Sequence, residues 1–116
     1  MSIQRFHVGQ RLSETAIFNK TIYLAGQIPE DTNQDIVGQT VEVLGHIDRL
    51  LAEAGSDKSH ILMCQIFLSD ISLISGMNTA WDAWVAQGEA PPRATVQTLL
   101  ANPLWLIEIV VTAAQK

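Results

Sequence analysis

Near its C-terminus the chain runs Leu104-Trp-Leu-Ile-Glu-Ile-Val-Val-Thr-Ala-Ala114. In a strand, successive side chains point to opposite faces. Trp105, Ile107, Ile109 and Val111 then share one face, and Leu106, Glu108, Val110 and Thr112 the other. Both faces are largely apolar, as in a strand covered on both sides. Any fold for this chain must supply two covering layers here. It must also explain Glu108, because a carboxylate among Ile, Leu and Val is costly unless something pairs with it or uses it.

The other elements supply only one of those layers. Ile3 to Val8 reads as a short strand, and Thr15–Phe18 and Thr21–Ala25 as a hairpin around Asn19-Lys20. GQIPEDTNQD is a loop. Asp35 offers an N-cap to a helix whose apolar positions run from Ile36 through Leu44, Ile47 and Leu51 to Ala54, with Gly55 as its stop. His60–Leu68 reads as a buried strand. A second helix spans about Ser72–Val85, with Leu73, Met77, Trp81, Trp84 and Val85 on one face, and Pro91-Pro92 closes that region. Ala94–Leu100 and Trp105–Ala113 complete the set. The order is that of an α+β sandwich, a mixed sheet of about six strands with two helices on one face. Two helices cannot cover both faces of such a sheet, so the other face is expected to meet another subunit.

With 116 residues, 47% hydrophobic and 16% charged, the chain is expected to form one globular domain spanning residues 1–116. A net charge of -5, with only seven Lys and Arg, weighs against nucleic acid and against an anionic membrane surface. The start MSIQRFHVGQ lacks the pattern of a signal peptide, and Glu108 interrupts the longest apolar run, so a cytoplasmic location is expected. One cysteine, Cys64, excludes an intramolecular disulfide and a cysteine-based zinc cluster. It is expected to be a buried, inert thiol. His7, His46 and His60 lack metal-ligand spacing, and Ser13 and Ser69 lack His-Asp partners. Trp81 and Trp84 read as packing residues.

Glu42, Asp48, Arg49, Glu53, Asp57 and Lys58 read as a solvated face. Two charges stand apart from them. Glu108 lies in the apolar strand, and Arg93 follows two prolines that stiffen its approach. From the residues alone, the pair is either a structural salt bridge between neighbouring strands or a small anion site. In the second case Arg93 takes a ligand carboxylate and Glu108 positions a water or moves a proton.

Three stretches resemble the RidA family, also called YjgF or L-PSP proteins. YLAGQIP (Tyr23–Pro29) is similar to its strand ending in Gly-Gln-Ile/Val-Pro, APPRATVQ (Ala90–Gln97) to its Pro-x-Arg strand, and LIEIVVTAA (Leu106–Ala114) to its Ile-Glu-Ile strand. GSDKSHIL, MNTAWDAW and the Arg-x-Ser near the start resemble the YoaB-like branch. The resemblance implies a chorismate-mutase-like fold, a homotrimer with clefts between subunits, and hydrolysis of 2-imino acids or their enamines to 2-keto acids and ammonia without metal or cofactor. It implies that Arg93 binds the substrate carboxylate, that Glu108 orients the attacking water or shares its proton, and that Gly26 walls the cleft. Many deaminating members carry a Tyr where this chain has Leu12 and a Cys where it has Thr95. Thr95 and Arg11 join the substrate-binding candidates, Arg11 as a second cation. The partners implied are a small 2-imino or 2-keto acid and further copies of the chain. The alternatives are a non-catalytic binder or regulator of small carboxylates and, against the acidic balance, an endoribonuclease or translation inhibitor.

Overall fold

The computed structural model describes residues 2–116. Its strands are β1 (Gln4–Val8), β2 (Ser13–Phe18), β3 (Thr21–Leu24), β4 (Ile61–Leu68), β5 (Arg93–Gln97) and β6 (Ile107–Ala114), and its helices are α1 (Ile36–Glu53) and α2 (Ile74–Trp84). The six strands form one sheet in the order β1-β2-β3-β6-β4-β5. Only β4 and β5 run parallel, so the sheet is mixed, as expected.

Local chemistry sets the boundaries. Asn19 and Lys20 both have positive φ, 54° and 64°, which the tight turn between β2 and β3 requires. Asp35 caps α1, its Oδ1 accepting the Gly38 N–H at 2.9 Å, and Gly55 leaves the helix with φ 81°. Ser72 lies outside the second helix. Asp70 instead caps a 3-10 turn over Ile71–Leu73, and α2 begins at Ile74. The last strand starts two residues later than the apolar pattern suggests. The buried Gln39 side chain accepts the Leu106 N–H at 2.8 Å and donates to the Leu104 carbonyl at 3.2 Å, so that backbone is held by α1 rather than by a strand. β5 ends at Gln97, opposite the end of β4, and Leu99 is 97% exposed.

Both helices pack on one face of the sheet. Val43, Leu44, Ile47, Leu50 and Leu51 of α1, with Met77 and Trp81 of α2, close over Ile17, Ile22, Ile66, Ile107, Ile109 and Val111. Phe18, Tyr23, Met63 and Val96 are exposed. By strand alternation and register they belong to the opposite face, with Glu108 and Val110. The double-sided apolarity of β6 thus has one face under the helices and one uncovered. No helix among the described residues is long and apolar enough to cross a membrane.

Candidate active site

Arg93 opens β5, an edge strand, with Pro91 and Pro92 before it. It sits in register with the buried Cys64, which places it on the helix-bearing side. There α2 receives it. Its guanidinium lies over the Trp81 ring at 5.0 Å from the centroid, one Nη2 hydrogen is donated to Asn78 Oδ1 at 2.8 Å, and Nη1 points at Met77 Sδ at 3.9 Å. A cation stacked on an indole and pinned by an amide oxygen has its plane fixed. Its Nε–H and one hydrogen on each terminal nitrogen are left for a ligand, and no carboxylate among the described residues lies within ion-pair distance.

Glu108 is in register with Phe67 of β4, three residues beyond Cys64, and therefore lies on the other face of the sheet. β4 runs between β6 and β5. The reading of the pair as a salt bridge between neighbouring strands is corrected by this topology: within one chain Arg93 and Glu108 are neither on adjacent strands nor on one face. Each charge is held by its own surroundings. The Glu108 carboxylate presses against Gly26, where a side-chain Cβ would lie 1.9 Å from Oε2. Burial raises its pKa above the usual carboxylate range.

Gly26 is fixed by its neighbour. Gln27 exchanges two backbone hydrogen bonds with Ile109, at 2.8 and 3.1 Å, tying the loop after β3 to β6 beside Glu108. The Gln27 side chain, only 4% exposed, donates to Glu14 Oε2 at 2.9 Å and to the Ala25 carbonyl at 3.0 Å. Farther along, Glu42 of α1 accepts the N–H groups of Glu30 (2.6 Å) and Asp31 (3.2 Å), the Gln34 amide (3.1 Å) and His46 Nε2 (3.1 Å). These bonds, with Glu30 foremost, hold its pKa below the ordinary value. Glu42 is thus a clamp on the loop rather than one charge of a solvated face, a correction the helical pattern alone could not supply.

The remaining candidates are dispersed. Thr95 follows Arg93 by two residues on the same side of β5 and is half-buried. Arg11 is exposed in the turn between β1 and β2, and Leu12 beside it is 55% exposed. Cys64 is 1% exposed, and burial pushes its thiol up to about 12, against a smaller opposing effect of Arg93. Sequence reasoning missed Asn78 as a partner of Arg93. The signal was Asn78 beside Met77 and one turn before Trp81 in MNTAWDAW, a polar residue on the margin of an apolar helix stripe.

The family described as Endoribonuclease L-PSP matches residues 2–115. A RutC family protein of Haemophilus ducreyi is 49% identical, over 97% of this chain and 96% of its own. The RutC family protein YoaB of Escherichia coli is 45% identical, over 98% and 99%. A crystal structure of a YjgF family member from Neisseria meningitidis superposes with a TM-score of 0.97 at 45% identity, covering 100% of this chain and 97% of that one. More distant relatives carry named activities. The 3-aminoacrylate deaminase RutC of Acinetobacter baylyi is 33% identical over 76% of this chain and 74% of its own. A 2-iminobutanoate/2-iminopropanoate deaminase of Capra hircus is 28% identical over 89% and 79%.

Proposed function

The chain belongs to the family described as Endoribonuclease L-PSP, which includes the RutC, YoaB and YjgF proteins, and from that premise we propose that it hydrolyses small 2-imino acids or their enamine tautomers to 2-keto acids and ammonia. One observation carries the reading: an oriented guanidinium and a carboxylate of raised pKa, neither with an ion-pair partner among the described residues, lie on opposite faces of one sheet. Two unpaired charges fixed this way suit a site completed by a second copy. The uncovered apolar face supplies a surface for that copy, and a homotrimer with Arg93 of one subunit facing Glu108 of the next accounts for both.

In this site Arg93 holds the substrate carboxylate through its free N–H groups, and the stack on Trp81 keeps the plane of that contact constant. The substrate reacts as its protonated iminium: Glu108 takes one proton from water as the water oxygen bonds to C2, and the C=N electron pair moves onto nitrogen to give a neutral amine. Glu108 then returns its proton to that nitrogen, the C–N bond breaks to release ammonia, and the hydroxyl proton passes to solvent as the C2 carbonyl forms. A raised pKa suits both halves, because the group is a better base before attack and a usable acid afterwards. Imines hydrolyse unaided in water, so acid-base help of about 10²–10⁴-fold is enough. Leu12 and Thr95, in place of a hydroxyl-bearing ring and a thiol, leave the side-chain end of the site without those groups. This favours, as second reading, a protein that binds 2-keto or 2-imino acids without turning them over.

The test is a trapping competition. An amino acid oxidase generates imino acids from a panel of amino acids, and semicarbazide captures whatever is not hydrolysed. Wild type lowers trapping, while Arg93→Ala and Glu108→Gln do not, and light scattering reports a trimer. Calorimetric binding of the 2-keto acid with unchanged trapping would move the second reading to the front.

A further inference from the structure

Where the loop after β3 crosses α1, a cavity of about 380 Å³ opens, lined by neither Arg93 nor Glu108. Arg49 lies on its α1 side. Its Nη1 contacts His46 Nδ1 at 3.3 Å. An arginine only donates, so Nδ1 of His46 is the acceptor, and its Nε2–H is the donor to Glu42 at 3.1 Å. Glu42 is in turn occupied by the loop backbone. The positive charge of Arg49 therefore reaches the cavity with no carboxylate within ion-pair distance among the described residues. His7 also reaches the cavity, its Nε2 held by Glu53 at 2.8 Å.

Two carboxylates line the same space. Glu14 uses Oε2 to accept from Gln27, and Glu30 engages its backbone N–H rather than its carboxylate. Ile28 and Leu50 add an apolar wall. A cation and two carboxylates that neutralise one another neither directly nor through a bridge recognise a ligand bearing both charges. The volume lies near the lower end of the roughly 300–1,000 Å³ range for small-molecule sites.

We propose that this cavity binds a free α-amino acid with an apolar side chain, its carboxylate on Arg49, its ammonium on Glu14 and Glu30, and its side chain against Ile28 and Leu50. The site is separate from the one assigned to Arg93 and Glu108, yet Gly26 belongs to both: it lines the cavity and touches the Glu108 carboxylate. An occupant therefore rests one backbone segment away from Glu108. The binding does not depend on the hydrolase reading.

Isothermal titration of the full chain with L-leucine, L-methionine and L-valine tests it, each compared with the 2-keto acid and with the amine of the same side chain. Wild type binds the amino acid at least about tenfold more tightly than either analogue, because each analogue leaves one charge of the cavity unanswered. Arg49→Gln weakens amino acid binding about tenfold or more with an unchanged melting curve, as expected for an exposed side chain, and Arg93→Gln leaves it unchanged. Three results overturn the proposal: no heat with any of the three amino acids at millimolar concentration, equal affinity in Arg49→Gln, or loss in Arg93→Gln, which would place the ligand in the other site. Trapping by the same variants is scored separately, so failure of hydrolysis and failure of this site are told apart.

Discussion

Replacing Gly26 with alanine separates the position of Glu108 from its presence. The added Cβ would lie 1.9 Å from Glu108 Oε2 and 2.9 Å from Cδ, whereas ordinary contact begins near 3.4 Å. The oxygen must therefore retreat by 3.4 − 1.9, about 1.5 Å, and Cδ by 3.4 − 2.9, about 0.5 Å. The backbone offers no obstacle, since Gly26 is not among the residues with positive φ. Alanine there reduces unfolded-state freedom and contributes about 0.4–1 kcal/mol of stability, while driving Glu108 off its preferred rotamer costs about 0.5–1.5 kcal/mol. The two nearly cancel, and a melting shift of no more than about 5 °C follows. Catalysis does not cancel, because misplacing a reacting group by about 1 Å costs on the order of 10²-fold. Gly26→Ala is expected to keep its fold and lose about 10²-fold in kcat/KM in the trapping assay. Activity within about threefold of wild type, in a folded variant, would refute the claim that the placement of this carboxylate matters. A collapse of the melting temperature would show that Glu108 cannot turn aside and that the contact serves packing.

Three further outcomes follow from the same geometry. Burial raises the Glu108 pKa, so the acid limb of kcat/KM should lie above the usual glutamate value of about 4.3 and disappear in Glu108→Gln. The sign for stability is the reverse of the common carboxylate case: a raised folded-state pKa gives a contribution present below the unfolded value and lost as pH rises through the folded one. In the chain kept monomeric by dilution, Glu108→Gln should then melt above wild type at pH 7, with the gap closing toward pH 4, whereas in the proposed trimer Arg93 of the next subunit opposes the rise and the gap should shrink or reverse; a monomeric variant melting lower at pH 7 would refute burial as the dominant effect on this charge. The Cys64 thiol, held near 12, should resist a disulfide reagent at pH 8 until the chain unfolds, and Cys64→Ala should leave trapping unchanged. Asn78→Ala removes the 2.8 Å anchor of Arg93, a charge-assisted bond of about 1.5–3 kcal/mol, and should raise KM by tenfold or more with a smaller change in kcat; equal loss in kcat alone would contradict a role in carboxylate binding.

Much of the fold is visible in the sequence because its signals are local or periodic. Asp35 and Gly55 bound α1 at residues whose side chain or φ does the bounding, and Asn19-Lys20 marks a turn that demands two positive φ values. The start of β6 is hidden for the opposite reason. Leu106 is apolar and fits the strand pattern, but its N–H belongs to Gln39, 67 residues away, and no local pattern records that bond. The site divides along the same line. Arg93 and Glu108 are conspicuous because each violates its surroundings, one behind two prolines and the other inside an apolar strand. Their relation is not visible, because it depends on strand order. With β4 inserted between β5 and β6 and an odd offset along it, the two charges fall on opposite faces, a fact available only once Cys64 and Phe67 are known to be their partners. Glu42 shows the converse. It sits on a helix face among ordinary surface charges, and its four donors come from a loop and a histidine that only the folded chain brings near. The loop that Glu42 holds also carries Gly26, so one clamp on α1 stands behind both the seat of Glu108 and the cavity at Arg49. A charge that looks spare in sequence can thus position two sites, and removing it should disturb both together where Arg49 or Arg93 disturbs one.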